Sequence, residues 1–112
     1  MTVDDTVHWD EEEYCRYLNA ERRGYAWVLS ESGGLTPGAA RAAALTQYPY
    51  ERADQAQRGQ VFHDEAWHRA MLRLHGELYW RTRPELLHPP VDYESVWDSG
   101  YAQDPATAIP IA

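Results

Sequence analysis

Residues 10–34, DEEEYCRYLNAERRGYAWVLSESGG, decide the fold of this chain. At about 100° per residue, Tyr14, Tyr17, Leu18, Tyr25 and Val28 fall on one face, the apolar stripe of an amphipathic helix. Asp10 followed by Glu13 has the form of a capping box, and the acidic run suits the positive end of a helix. The helix is therefore expected to run from Asp10 to about Ser30 and to stop at Ser32-Gly33-Gly34.

Working outward, Thr36-Pro37 is a second helix start: Thr caps, and Pro at the first helical position loses no hydrogen bond. This short helix carries the Ala-rich stretch Gly38 to Thr46 and should stop before Pro49. After a polar stretch from Tyr48 to Gly59, a long third helix is expected from about Gln60 to Thr82, closed by Pro84. Gly76 inside it costs about 1 kcal/mol relative to Ala, which reads as the mark of a close helix contact. No stretch alternates with period two, so no strands are predicted.

The expected architecture is thus all-α, a three-helix domain with two long helices and one short one. Residues 1–9 read as an N-terminal arm, 10–86 as the helical domain and 87–112 as an extended tail. The tail holds Pro89-Pro90, Pro105 and Pro110 together with Tyr93, Trp97 and Tyr101. Its aromatic rings need a surface, so it should wrap the domain or a partner.

At 112 residues the chain suits one domain with a modest core, and five Trp and eight Tyr argue against disorder. A formal charge of −8 leaves no concentrated basic face, which argues against nucleic acid and anionic membranes as partners. Cys15 is the only cysteine, which excludes a disulfide framework and a thiolate-based metal site within one chain. At the flank of the first helix's apolar face it reads as a structural thiol. The stretch MTVDDTVHWDEEE is acidic without an apolar centre, so it does not read as a signal peptide. No apolar run approaches a membrane span, and a cytoplasmic location is expected.

Polar residues interrupt the apolar faces. Glu21 falls in the middle of the first stripe, where a carboxylate must be hydrogen-bonded, paired, protonated or bound to a metal. On the third helix, Val61, Met71, Leu72, Leu78 and Tyr79 share a face that Trp67 and Leu74 extend, and Asp64, Glu65, His68 and His75 lie within it. Glu65-x-x-His68 is the spacing at which one helix offers a carboxylate and an imidazole to the same metal. Asp64, four residues before His68, suits a partner that fixes the imidazole tautomer. With Glu21 on another helix, a two-fold dimer would bring two such sets into a four-helix bundle holding iron, manganese or zinc. The plainer alternative is an internal Asp64–His68 hydrogen bond, with Glu21 bonded to a buried Tyr or paired with an Arg. No phosphate-binding Gly loop, G-x-S-x-G elbow or H-E-x-x-H is present, so the chain holds no complete catalytic motif.

From Leu29 through Trp67 the chain resembles the N-terminal helical segment of the nitrile hydratase α subunit, a family that includes thiocyanate hydrolase. The likeness rests on Leu29, Glu31, Gly34, Leu35 and Pro37, then on Tyr50-Glu51, on Gly59 eight residues after that Glu, and on Ala66-Trp67. It covers about a third of the chain. The family's iron or cobalt sits in a Cys-x-x-Cys-Ser-Cys claw that this chain lacks, and Arg58 stands where the family usually has Asn. The resemblance therefore implies a helical subunit or accessory protein of a multi-subunit nitrile-hydrating enzyme, without the metal-bearing role.

Two readings follow. In one, the chain is a non-catalytic interaction module that holds no cofactor and clasps a larger protein subunit, with Trp80, Tyr93 and Trp97 as anchors. In the other it is a homodimeric, ferritin-like metalloprotein in which Glu21, Glu65 and His68 are ligands and Asp64 and His75 support them or join them as ligands.

Overall fold

The computed structural model describes residues 9–103; the first eight residues of the expected arm and residues 104–112 of the expected tail lie outside them. The described residues are helical and contain no strand, as the absence of period-two patterning predicts.

Helix α1, Glu11–Glu31, is the central element, and α2, α3 and α5 all pack on it. It begins as the acidic run implies: the Asp10 side chain accepts the Glu13 backbone N–H at 3.3 Å, a cap of about 1 kcal/mol. It ends where the glycines predict, with Ser32 N–H donating to Val28 O and both Gly33 and Leu35 N–H to Leu29 O. Tyr14, Leu18, Tyr25 and Val28 of the predicted stripe are buried, and Tyr17 is half-buried with its ring against Phe62 and Trp97. Helix α2, Pro37–Gln47, starts on Thr36, whose hydroxyl accepts the Ala39 N–H at 3.2 Å. It contributes Ala40 and Ala44 to the core, small residues that let it lie close to α1.

The expected continuous helix from Gln60 to Thr82 is broken into three pieces. Gly59, at φ 83°, opens a 3₁₀ turn over Gln60–His63. Asp64 and Glu65 are then extended, and α3 covers Ala66–His75. Gly76 is not a helix-contact residue: a Cβ there would meet nothing within 4 Å. Its φ of 84° closes α3 instead, the ordinary use of a glycine past a helix end. Leu78 follows at φ 61°, and a single-turn helix α4, Tyr79–Thr82, leads into a second 3₁₀ turn at Pro84–Leu86.

The tail expected to be extended is instead helical over Val91–Ala102, named α5, after an extended Pro90. Tyr93, Trp97 and Tyr101 are four residues apart, so a helix puts all three rings on one side, toward the chain itself. Helix α5 runs antiparallel to α1: Tyr93 lies over Gly24, Gly100 sits against Ala20, and Arg16 reaches the far end. A Cβ at Gly100 would stand 2.9 Å from the Ala20 Cα, so glycine sets this close approach. The Asn19 amide donates to Gly100 O at 2.6 Å, and the Arg16 guanidinium donates to the carbonyls of Tyr101, Ala102 and Gln103. The last carbonyls of α5 thereby gain a cation where the helix dipole favours one.

Candidate functional site

The first turn of α3 has no side-chain cap of its own, since Glu65, in the capping position, accepts no bond from it. Its free backbone N–H groups at Ala66 and Trp67 are satisfied from two other helices. Glu21 of α1 accepts the Ala66 N–H, and the Tyr93 hydroxyl of α5 accepts the Trp67 N–H at 3.3 Å. The indole N–H of Trp97 donates to the same Glu21 carboxyl group. The hydrogen-bond partners of Glu21 are thus a helix N-terminus and an indole, not the Tyr or Arg of the plainer reading.

The pairing is incomplete. Glu21 is 2 % exposed, and its Oε2 has no hydrogen-bond partner among the described residues. Burial raises its pKa to about 8, against the N–H donors of Trp97 and Ala66, and the Glu65 carboxylate pushes the same way. At neutral pH this side chain is mainly a neutral acid.

Glu21 lines a cleft of about 390 Å³ between α1, the start of α3 and α5. Three rings, Tyr17, Tyr93 and Trp97, and three further carboxyl groups, Glu65, Glu94 and Asp98, complete its lining. Among the described residues, no Arg or His lines it. Glu94 and Asp98 are one turn apart on α5, so their carboxylates share a side of the cleft.

The other residues singled out from the sequence are dispersed. Asp64 is exposed and 3.8 Å from the Arg69 guanidinium, rather than paired with His68 as the plainer reading expected. His68 Nδ1 instead shares a hydrogen bond of 2.9 Å with the Tyr79 hydroxyl, a partner brought round by the turn after Gly76. His75 is exposed in the last turn of α3. Among the described residues, no three His, Cys, Asp or Glu side chains are grouped to hold a metal ion, so Glu21, Glu65, His68, Asp64 and His75 do not form one within a chain.

The three aromatic anchors fare differently. Tyr93 is buried in the chain's own core and is not an exposed anchor, because α5 folds back on α1. Trp97 is half-buried, stacked on Tyr101 at 5.7 Å and edge-on to Tyr17. Trp80 is half-buried beside Tyr79 and His68. The large hydrophobic side chains exposed among the described residues, Leu78, Leu87 and Val91, fall in the same segment as Trp80.

Two arginines, Arg58 and Arg22, are buried, which the sequence reading did not anticipate. Arg58 Nη2 pairs with Glu11 Oε1 at 2.5 Å, and its guanidinium lies 3.8 Å over the Tyr14 ring. Arg22 is 2 % exposed; its Nε donates to Tyr48 O at 2.8 Å, and Nη2 has no partner among the described residues. Cys15 donates to Glu11 at 3.6 Å, and burial together with that carboxylate raises its pKa, which suits a structural thiol.

Comparison with family models, with curated proteins and with solved structures finds no match to this chain. The residues that carry the nitrile hydratase resemblance have local duties. Glu51 accepts the Gly59 N–H at 3.0 Å across the loop, and a Cβ on Gly59 would strike the Trp9 indole. Ala66 is fully buried at the start of α3. Arg58, where the family usually has Asn, is balanced by Glu11.

Proposed function

We propose that this chain is a non-catalytic helical subunit or accessory protein that docks on a larger enzyme subunit. The observation that carries the reading is the segment 78–91, where Leu78, Leu87 and Val91 are exposed at 44 %, 50 % and 75 %. Leu78 is the one non-glycine residue with positive φ among the described residues. A left-handed Leu costs about 1 kcal/mol or more, and this one turns an apolar side chain outward rather than into the core. Such strain at an exposed apolar residue fits a surface shaped for contact. Trp80, flanked by these residues in sequence, supplies the large rigid ring that interfaces favour.

The resemblance over Leu29–Trp67 selects the partner class, a nitrile-hydrating enzyme whose metal claw lies on another chain. The test is native mass spectrometry of this chain mixed with the purified subunits of such an enzyme. A defined complex is expected for the unaltered chain, with affinity falling at least about tenfold in the Leu78→Asp/Leu87→Asp variant. A chain that stays alone with those subunits, or a variant that binds equally well, overturns the reading.

A further inference from the structure

The cleft between α1 and α5 is separate from the segment 78–91 and raises a different question. Its four carboxyl groups have no basic counterpart among the described residues of the lining. The floor is Glu21, nearly fully buried, with Oε2 unpartnered among the described residues. A buried carboxyl oxygen left unpaired among the described residues, at the base of an acidic cleft, calls for a hydrogen-bond partner from outside the chain.

The chemistry of that partner is constrained. A compact inorganic cation needs several oxygens converging at about 2.0–2.6 Å, and no three acidic or His side chains among the described residues are grouped that closely. The carboxylates are instead spread around a space of about 390 Å³, within the usual range for a small organic ligand. Tyr17 and Trp97 add π faces, which attract an ammonium or its flanking methylenes. A chain bearing two amines matches carboxylates that are spread out better than a single ion does.

We propose that this cleft binds an organic di-ammonium cation, with Glu65, Glu94 and Asp98 holding its charged ends and the Glu21 carboxyl group meeting it at the floor. Arg69, whose positive charge acts on Glu21, is paired with Asp64 and is not among the described residues that line the cleft. Glu65, Glu94 and Asp98 are exposed, so their charges are open to an incoming ligand and their removal leaves the core alone.

The experiment titrates the full chain with 1,4-diaminobutane and follows the Trp97 indole N–H by NMR, assigned with Trp97→Phe. A saturable shift below about 10 mM is expected, weakened at least about tenfold in Glu94→Gln/Asp98→Asn with the melting temperature unchanged. Glu65→Gln, on another element, should weaken it as well. The neutral isostere 1-butanol should leave the resonance in place. The proposal is overturned by no saturable shift, by a shift of equal size with 1-butanol, by wild-type affinity in both carboxamide variants, or by calcium chloride displacing the diamine at equal concentration.

Discussion

The Glu21 carboxyl group, in the middle of α1, accepts the backbone N–H of Ala66, the first residue of α3. A side chain that looks misplaced on one helix is the cap of another. Burial leaves it mainly protonated at neutral pH, with its pKa raised to about 8, and this fixes a sign for stability. Below the ordinary carboxylate value, both folded and unfolded chains hold the proton and pH has no effect through this group. Between that value and about 8 the unfolded chain has lost the proton and the folded chain keeps it, so stability falls as pH rises. The loss through this group reaches up to roughly 5 kcal/mol. Glu21→Gln keeps the acceptor and lacks the titration. Urea unfolding from pH 4 to 9 should show the two proteins alike in acid and the Gln variant more stable above neutrality. A constant difference across that range would contradict the assignment.

The α1–α5 contact makes a second prediction. A Cβ at Gly100 would stand 2.8 Å from Arg23 Cδ and 2.9 Å from the Ala20 Cα, and the backbone atom cannot move aside cheaply. Gly100→Ala should therefore destabilise by about 1–3 kcal/mol. Gly38, in the first turn of α2, has open space around it, and Gly38→Ala should stabilise by about 0.5–1 kcal/mol. Opposite signs for the same chemical change, read as thermal midpoints, are the check.

Where the sequence carried a local signal, it was legible. The Asp10 and Thr36 caps, the glycines after α1 and the α1 stripe all lie where periodicity and capping put them. The misreadings share one cause: a residue type with two uses. Gly76 serves as a helix stop by adopting positive φ, which sequence does not distinguish from close packing. In the tail, the prolines outweighed the four-residue spacing of Tyr93, Trp97 and Tyr101, although that spacing was the mark of α5. Of the candidate site, Glu21 and Glu65 were singled out from the sequence, whereas Glu94 and Asp98 reach the cleft only because α5 folds back on α1. That return is set by contacts between residues some eighty positions apart, such as Asn19 with Gly100, which no local pattern encodes.

Gly59 tests whether the residues of the resemblance serve this fold. Its φ of 83° and the Trp9 indole lying against it both exclude a side chain. Gly59→Ala should cost about 2 kcal/mol or more and should shift the Trp9 fluorescence. Glu51→Ala, which frees the Gly59 N–H, should cost about 1–2 kcal/mol. Neutral outcomes at both positions would mean that the loop is not held by these contacts.

Arg22 separates the value of a buried charge from that of a buried volume. Its pKa is lowered by burial, and no carboxylate pairs with it in an ion pair among the described residues. The hydrogen bond from its Nε to Tyr48 O ties α1 to the end of α2. Arg22→Ala removes that bond and leaves a cavity, and should cost about 3 kcal/mol. Arg22→Met fills most of the space and removes an uncompensated charge, a change that is often neutral or favourable when a buried ionic group is replaced. It should lie within about 1 kcal/mol of the unaltered chain in urea unfolding. If Met costs as much as Ala, the bond to Tyr48 outweighs the charge that accompanies it, and the guanidinium is the fastening between the two helices.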